Sequence, residues 1–579
     1  MVVSTHRDAA RAGARILEQG GNAIDAAVAT AFAVGVAQPF SAGLGGGAFA
    51  LVRLADGRIR ALDARETAPA AATRTMYVEP DVPENASVHG PLAVAVPAFV
   101  PGMLDLLERH GTMPLARVLA PAIELAEEGV EIGPYHARMA WFMSRRLSRE
   151  RFPETWRIQL ALFDRATENA ATKNAGTGEA ATASAVSPPP IGQRLVQKDL
   201  GQTLRLLAAR GGSIFRDGPI AQAIVETVQA QGGLLVLDDL RSIRPKWREP
   251  VFGSYRGLRV ASFPPPSSGG VVLVQALNVL EGFELAPLHP RSSSAIHLVA
   301  EAMKLAFADR AAYLGDSDFV DVPIEHLVSK RHAASQRARI DVEKATRIEG
   351  PGQLPDDAGT THFSVTDAAG RAVALTMTIN TPYGSGITVP GTGVILNNEM
   401  DDFAVARDTP NSYGLIDTRG ANLVAPGKRP LSSMTPTILD RDGRVFMVTG
   451  SPGGPRIIST TLLTILDVVD WGMDPQAAVA APRYHHQWEP DRLRLEPEIP
   501  DDVVRALEAR GHVVERGSRR WSAAEVIVHD AERGVFLGGA DPRSDGAAVG
   551  VEAGVGAGTG AAGSRDAKPD RLRDGPSSR

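Results

Sequence analysis

The chain has 579 residues, with 61 Lys and Arg against 67 Asp and Glu for a formal charge of −6, and it contains no cysteine. That balance excludes a basic nucleic-acid footprint, and the missing thiols exclude disulfides, thiolate nucleophiles, zinc fingers and iron–sulfur clusters. Apolar residues at 44% and charged residues at 22% describe an ordinary globular chain, with room for three or four domains of about 150 residues. Any nucleophile must therefore be Ser, Thr, Lys or a carboxylate. No apolar run reaches the roughly 20 residues that cross a bilayer. The best, 26–37, is interrupted by Thr30 and predicts a buried helix. The opening MVVSTHRDAA has no basic region followed by an apolar one, so the chain as written carries no export signal and reads as cytoplasmic.

In chain order, residues 8–19 set Ala9, Ala12, Ile16 and Leu17 at helical spacing, and Gly20 and Gly21 stop that helix. Asn22 is placed to cap a second helix that runs to about residue 37. SAGLGGGAFALVRL (41–54) follows as a glycine turn feeding a strand. A phosphate-cradling loop needs strand, glycines and then a helix N-terminus; here the order is helix, glycines, strand, which speaks against phosphate. Residues 100–130 and 200–235 read as helices. Residues 164–192, rich in Ala, Thr, Asn, Gly and Ser, lack hydrophobic periodicity and read as a surface insertion or flexible loop. FPPPSSGG (263–270) is a rigid turn before a helix, and 295–313 predicts a strongly amphipathic one. From 360 the text turns strand-like: THFSVTD, RAVALTMTI, GVILN, PTILD and VFMVTG. The segment from about 552 is low in complexity and reads as a disordered tail.

The chemistry concentrates in 359–403. Asp367 to Gly370 makes a hairpin turn between two alternating runs, which sets Thr360 opposite Met377 or Thr378. In the second run Val373, Leu375, Met377 and Ile379 share one face, while Ala374, Thr376, Thr378 and Asn380 share the other. One face should pack and the other present hydroxyls and an amide; the plain structural alternative is an amphipathic hairpin with its threonines on a wet face. NNEMDDF (397–403) follows with Glu399, Asp401 and Asp402, then KRPLSSM (428–434). TGSPGGPR (449–456) places a Gly-Gly turn between a strand and a helix, where adjacent N–H groups form a natural oxyanion site.

These segments resemble the gamma-glutamyltransferase family (gamma-glutamyl transpeptidase, glutathione hydrolase) of the N-terminal nucleophile hydrolase superfamily. The matching text includes GGNAIDAAVA, GLGGGAFALVR, LDARETAPAAAT, HGTMP, YRG, FPPPSSGG, EAMKLAFADRAAYLGD, TTHFSV, NNEMDDF, KRPLSSMTPTI, TGSPGGPRIIST, APRYHHQW and ADPRSDG, in family order from residue 20 to 546. The resemblance implies an α+β fold, a four-layer αββα sandwich. It implies a precursor that cuts itself between Gly359 and Thr360 into a large subunit, 1–359, and a small catalytic subunit, 360–579, which stay together as a heterodimer. Thr360 would be the nucleophile, its freed α-amine the base, and Thr378 the hydroxyl that orients it. Arg65, with Ser432 and Ser433, would read the substrate's α-carboxylate; Asn380, Glu399 and Asp402 would read its α-ammonium. Gly453 and Gly454 would supply the oxyanion amides. Segment 410–422 aligns with the lid loop, with Tyr413 closing the pocket. The implied substrates are glutathione and other γ-glutamyl amides, with water, amino acids or peptides as acceptors, and neither cofactor nor metal.

His485 and His486 are read as core packing rather than metal ligands, because neighbours on a strand point opposite ways and no acidic cluster accompanies them. His362 is set aside as a base in favour of the α-amine, and Thr361 as a bland neighbour. The chain departs from the family pattern at 96–102, where Ala98 replaces a glycine, at 519–528, in the length of 164–192, and in lacking the export signal of relatives that reside in the periplasm or outside the cell. Two alternatives stand beside the transferase: an acylase for β-lactam side chains such as glutaryl groups, and an unprocessed γ-glutamyl-binding protein.

Overall fold

At the centre of the molecule is the hairpin that begins at Thr360. The computed structural model describes residues 1–162, 191–346 and 359–552. Apart from 191, 192 and 552, the segments read as an insertion and as a disordered tail lie outside the described residues. In chain order the strands of the two main sheets are β1 (Val2–Ser4), β2 (Gly47–Arg53), β3 (Ile59–Ala64), β4 (Lys246–Arg248), β5 (Val251–Tyr255), β6 (Leu258–Ser262), β7 (Thr360–Thr366), β8 (Ala372–Thr378), β9 (Thr437–Arg441), β10 (Arg444–Gly450), β11 (Glu525–Asp530), β12 (Val535–Ala540) and β13 (Ala547–Val549). One sheet has the order β13-β1-β7-β8-β2-β3-β4, the other β12-β11-β10-β9-β6-β5. Thr360 pairs with Thr378 across the hairpin, the second of the two registers that the turn allows.

Helices cover the outer faces. Those used below are α1 (Arg7–Glu18), α2 (Ala23–Ala37), α3 (Phe99–His110), α4 (Gly269–Leu280), α5 (Ser293–Tyr313) and α6 (Arg456–Val469). The first two start and stop where local chemistry says they should. Asn22 accepts from the N–H groups of Ile24 and Asp25 while Asp25 accepts from that of Asn22, a closed capping box. Val373, Leu375, Met377 and Ile379 pack in one core with α2 and α3. Leu439 and Met447 pack in another with α4, α5 and α6. Between the sheets lie Phe49, Leu51, Phe263, Ala372, Ala374, Ile438 and Val448, with the Phe49 and Phe263 rings stacked at 4.0 Å. The layers are thus helix, sheet, sheet, helix.

The structure removes the wet-face alternative for the hairpin and changes two sequence expectations. The polar face of β8 is not wet: every residue of β7 and β8 is buried, because the second sheet covers that face. The helix at 295–313 is buried nearly all round, since α4 and the small sheet near Tyr484 sandwich it; inside, Lys304 pairs with Glu301 while His297 bonds His512 and the Asp341 carbonyl. GVILN forms isolated bridges at Ile395 and Leu396 rather than a strand.

The glycine turn serves close approach to the hairpin. A Cβ on Gly46 would stand 2.1 Å from the Thr378 carbonyl oxygen, and one on Gly47 would stand 2.2 Å from a Glu66 oxygen. The Gly46 carbonyl accepts from the N–H groups of Ala98 and Phe99. Ala98, where the family pattern has glycine, keeps an ordinary negative φ of −126° and costs nothing there. Gly46→Ala should destabilise the protein by about 1–3 kcal/mol through overpacking against the backbone of β8; chemical denaturation of the variant checks this, and an unchanged midpoint contradicts it.

Candidate active site

Ten of the eleven residues given a catalytic or binding role from the sequence line one narrow pocket: Thr360, Thr378, Arg65, Asn380, Glu399, Asp402, Tyr413, Ser432, Ser433 and Gly454. Gly453 precedes Gly454 in the turn between β10 and α6. A larger cavity, about 360 Å³, opens beside α3 and is lined largely by apolar groups such as Leu104, Phe215 and Ile224; it holds none of these residues.

The carbonyl of Gly359 receives two hydroxyls. Thr360 Oγ1 donates to it at 2.7 Å and Thr378 Oγ1 at 2.9 Å, with the two hydroxyl oxygens 3.1 Å apart. The Asn380 N–H donates to Thr378 Oγ1 at 2.7 Å and so aims it; Asn380 stands at φ +75°, a conformation asparagine tolerates better than most. A Cβ at residue 359 would meet the Thr381 and Pro382 backbone at 2.6–2.9 Å, so that position takes glycine. Thr361 faces the other way, bonded to Thr5 and Gln38. His362 is turned between the sheets onto Thr376 and Ser364, and burial pulls its pKa down to about 3. It is a neutral packing group.

Charge at the pocket floor is one guanidinium against several carboxylates. Arg65, 1% exposed, lies 2.6 Å from Glu399, touches Asp402, and has Glu66 at 3.8 Å. Burial pushes all three acids up, partly offset by Arg65, and the acids more than offset the effect of burial on Arg65, which is raised. Glu399 and Asp402 sit on the 3₁₀ turn Glu399–Asp402. The preceding asparagines hold that turn. Asn397 bonds the backbone of Gly45, Ala95 and Glu399, and Asn398 bonds that of Thr381 and Val88. Asn380 Nδ2 donates to the Asn398 carbonyl at 3.0 Å, and Tyr413 Oη donates to Asn380 Oδ1 at 2.5 Å.

The other wall is Ser432 and Ser433. The Ser432 carbonyl accepts from Ser268 Oγ at 2.8 Å, and Ser268 in turn accepts from buried Arg310 at 3.0 Å, which ties FPPPSSGG and α5 to this wall. Gly453 and Gly454 have φ +134° and +56°. Their N–H groups meet no acceptor among the described residues, and Gly454 borders Thr360. Behind them, at one of the sequence departures, the half-buried Ser522 leaves no room for a Cβ on Gly453. The arrangement offers a hydroxyl nucleophile, a turn of free N–H donors beside it, a cation for a carboxylate and anions for an ammonium.

Sequence reasoning passed over Glu66, although it stands next to Arg65 in a quoted segment, and noted Asp401 without giving it a role; Asp401 accepts from Ser87 at 2.8 Å and is pushed up to about 6 by burial. It also passed over the acidic company of His486. Contrary to that reading, His486 Nε2 lies 3.1 Å from Asp491, which with Glu301 flanks Lys304. Among the described residues one group, His297, Glu301 and His512, brings metal-type donor atoms within 4.8 Å. The Lys304 ammonium donates into it at Glu301, 2.9 Å away, and occupies the place of a cation.

Glu66 gives a pH signature. Burial pushes its pKa from 4.5 up to about 8, so over that window the folded state holds a proton that the unfolded chain has lost, and stability falls as pH rises. Glu66→Gln keeps the shape of the protonated acid without this dependence. Its melting temperature relative to the wild type should climb between about pH 5 and 8.5; a constant difference contradicts the assignment.

The family model described as gamma-glutamyltranspeptidase matches residues 9–551. The chain is 41% identical to a glutathione hydrolase proenzyme of Pseudomonas sp. (strain A14), covering 95% of this chain and 94% of that one. It is 40% identical to a glutathione hydrolase proenzyme of Escherichia coli (strain K12), covering 94% and 90%. Among solved structures it is similar to a cephalosporin acylase from Bacillus halodurans, at 31% identity and a TM-score of 0.82, covering 95% and 96%. No helix among the described residues is long and apolar enough to cross a membrane.

Proposed function

The chain belongs to the gamma-glutamyltranspeptidase family, and we propose that it is a proenzyme that cuts itself before Thr360 and then hydrolyses or transfers γ-glutamyl groups from glutathione and related amides. The observation that carries this reading is the pair of hydroxyls on the Gly359 carbonyl at the edge of a pocket that also holds Arg65, Glu399 and Asp402.

In maturation, Thr360 Oγ adds to the Gly359 carbonyl carbon, the C–N bond breaks, and the acyl group moves from nitrogen to oxygen as an ester. The hydroxyl proton passes to the departing nitrogen, which becomes the α-amine of Thr360; water then hydrolyses the ester, freeing the Gly359 carboxylate and the Thr360 hydroxyl. Segments 1–359 and 360–579 remain together as a heterodimer, because β7 and β8 sit between β1 and β2 in one sheet. The new amine, with an ordinary pKa near 8, takes the hydroxyl proton as Thr360 attacks the γ-carbonyl of the donor. The N–H groups of Gly453 and Gly454 receive the oxyanion; one such donor is worth about 3 kcal/mol in the transition state. The leaving amine departs with the proton, and water or an acceptor amine then resolves the γ-glutamyl ester.

Arg65 takes the donor's α-carboxylate, with Ser432 and Ser433 beside it. Glu399, Asp402 and Asn380 take its α-ammonium. Tyr413 and segment 410–422 close over the group as a lid.

The likeness to a cephalosporin acylase supports a second reading, hydrolysis of a bulkier acyl amide. The carboxylates Glu399 and Asp402 favour the first, because a glutaryl group brings no ammonium to meet them. Purified protein should release nitroaniline from a γ-glutamyl anilide at least about tenfold faster than from the glutaryl anilide. Faster glutaryl turnover selects the acylase, and no release from either ends the enzymatic reading. Thr378→Ala should slow both maturation and turnover by about 10²-fold, as loss of a group that aims the nucleophile does.

A further inference from the structure

APRYHHQW is a quoted segment to which neither the sequence nor the site analysis gives a chemical role. Its Gln487, 2% exposed, lies directly behind the lid. Gln487 Nε2 is 3.1 Å from the Tyr413 carbonyl, 3.2 Å from the Gly414 carbonyl and 3.3 Å from the Glu489 carbonyl. Three acceptors around one atom identify it as the NH2 group and fix the amide's orientation. Among the described residues no other donor reaches the Tyr413 or Gly414 carbonyl.

The far side of the amide is fixed as well. Gln487 Oε1 faces His485 Nε2 at 3.0 Å, so that nitrogen carries the ring proton and Nδ1 accepts from Ser459 Oγ at 2.9 Å. The single Ser459 proton is then used on the ring rather than on the Arg456 carbonyl 3.1 Å away. Burial lowers the His485 pKa to about 3, which keeps the ring neutral and this tautomer in place at ordinary pH. Ser459 lies in the first turn of α6, which follows Gly453 and Gly454 directly. At the other end Tyr413 Oη meets Asn380, whose N–H aims Thr378 Oγ1. One run of hydrogen bonds therefore starts beside the oxyanion turn, passes through the lid and ends at the hydroxyl that orients the nucleophile.

We propose that Gln487, oriented by His485 and Ser459, is a positioning residue that holds the lid backbone at 413–414 and thereby sets the Tyr413 hydroxyl on Asn380. The proposal rests on the γ-glutamyl reading of the same site.

Two variants test it. Gln487→Glu keeps the shape but turns an oxygen toward the lid carbonyls; Gln487→Met keeps the volume and removes the donor. With γ-glutamyl p-nitroanilide, each should raise KM about tenfold and leave kcat within about twofold, the pattern for lost binding of the donor rather than lost chemistry. In a Tyr413→Ala background the same changes should add nothing, because the anchor acts through Tyr413. Amide hydrogen exchange at 411–415, read on the same samples, should speed up in both variants and does not depend on turnover. Unchanged exchange, or a full multiplicative loss on top of Tyr413→Ala, overturns the proposal. A wild type without activity would end the γ-glutamyl reading while the exchange data still decided the anchor. Should the Glu variant not fold, the Met variant carries the test.

Discussion

The constraint on which the structure depends is a buried pairing: Thr360 opposite Thr378, on a strand face that a second sheet seals. A hydroxyl in contact with water has many partners. Between two sheets each has few, and here both find the Gly359 carbonyl. Much else in the fold follows from keeping that spot narrow. Gly46 lets the chain entering β2 approach β8 without a side chain in the way, Gly47 leaves room for the Glu66 carboxylate, and Gly359 fits against the Thr381–Pro382 backbone for the same reason. The paired asparagines 397 and 398 use their side chains to satisfy backbone groups that have no strand partner there, because 381–398 has bridges in place of ladders.

Electrostatics supplies the second layer. Burial raises the pKa of Glu66, Glu399 and Asp402, and Arg65, with Arg310 acting on Asp402, only partly offsets it, so the acids hold protons more tightly than they would in water. Such a cluster is poorly served by its own members. It is better served by a ligand that brings both an anion for Arg65 and a cation for the carboxylates, and the head of a γ-glutamyl group is that kind of zwitterion. The segment that carries Tyr413 is held at the pocket by neutral hydrogen bonds, from Tyr413 to Asn380 and from Gln487 to the 413–414 backbone. Neutral contacts leave the charge balance of the floor to the ligand.

How much of this was legible in the sequence follows the range of each interaction. The first two helices could be bounded to within a residue or so because Gly20 and Asn22 act locally. The hairpin register came from alternation and one turn. The burial of its polar face did not, because only the distant strands β9, β10 and β11 decide it. The helix at 295–313 misled for a related reason: its polar residues suggested a wet face, whereas His297, Glu301 and Lys304 find partners inside. The pocket draws on positions from 65 to 454, and no spacing rule joins them. They were assembled through family resemblance, and the geometry brings ten of the eleven together. Gln487 stayed hidden because two histidines beside it drew the eye to metal chemistry, and its partners are backbone carbonyls that leave no mark in a sequence.

The self-cleaving nucleophile is tested most directly by intact mass and N-terminal sequencing of freshly purified protein, followed over time. Two chains, the smaller beginning at Thr360, are expected, with Thr360→Ala remaining a single chain. A wild-type chain that persists at full length, or a cut anywhere other than Gly359–Thr360, contradicts the role given to the buried pair of hydroxyls.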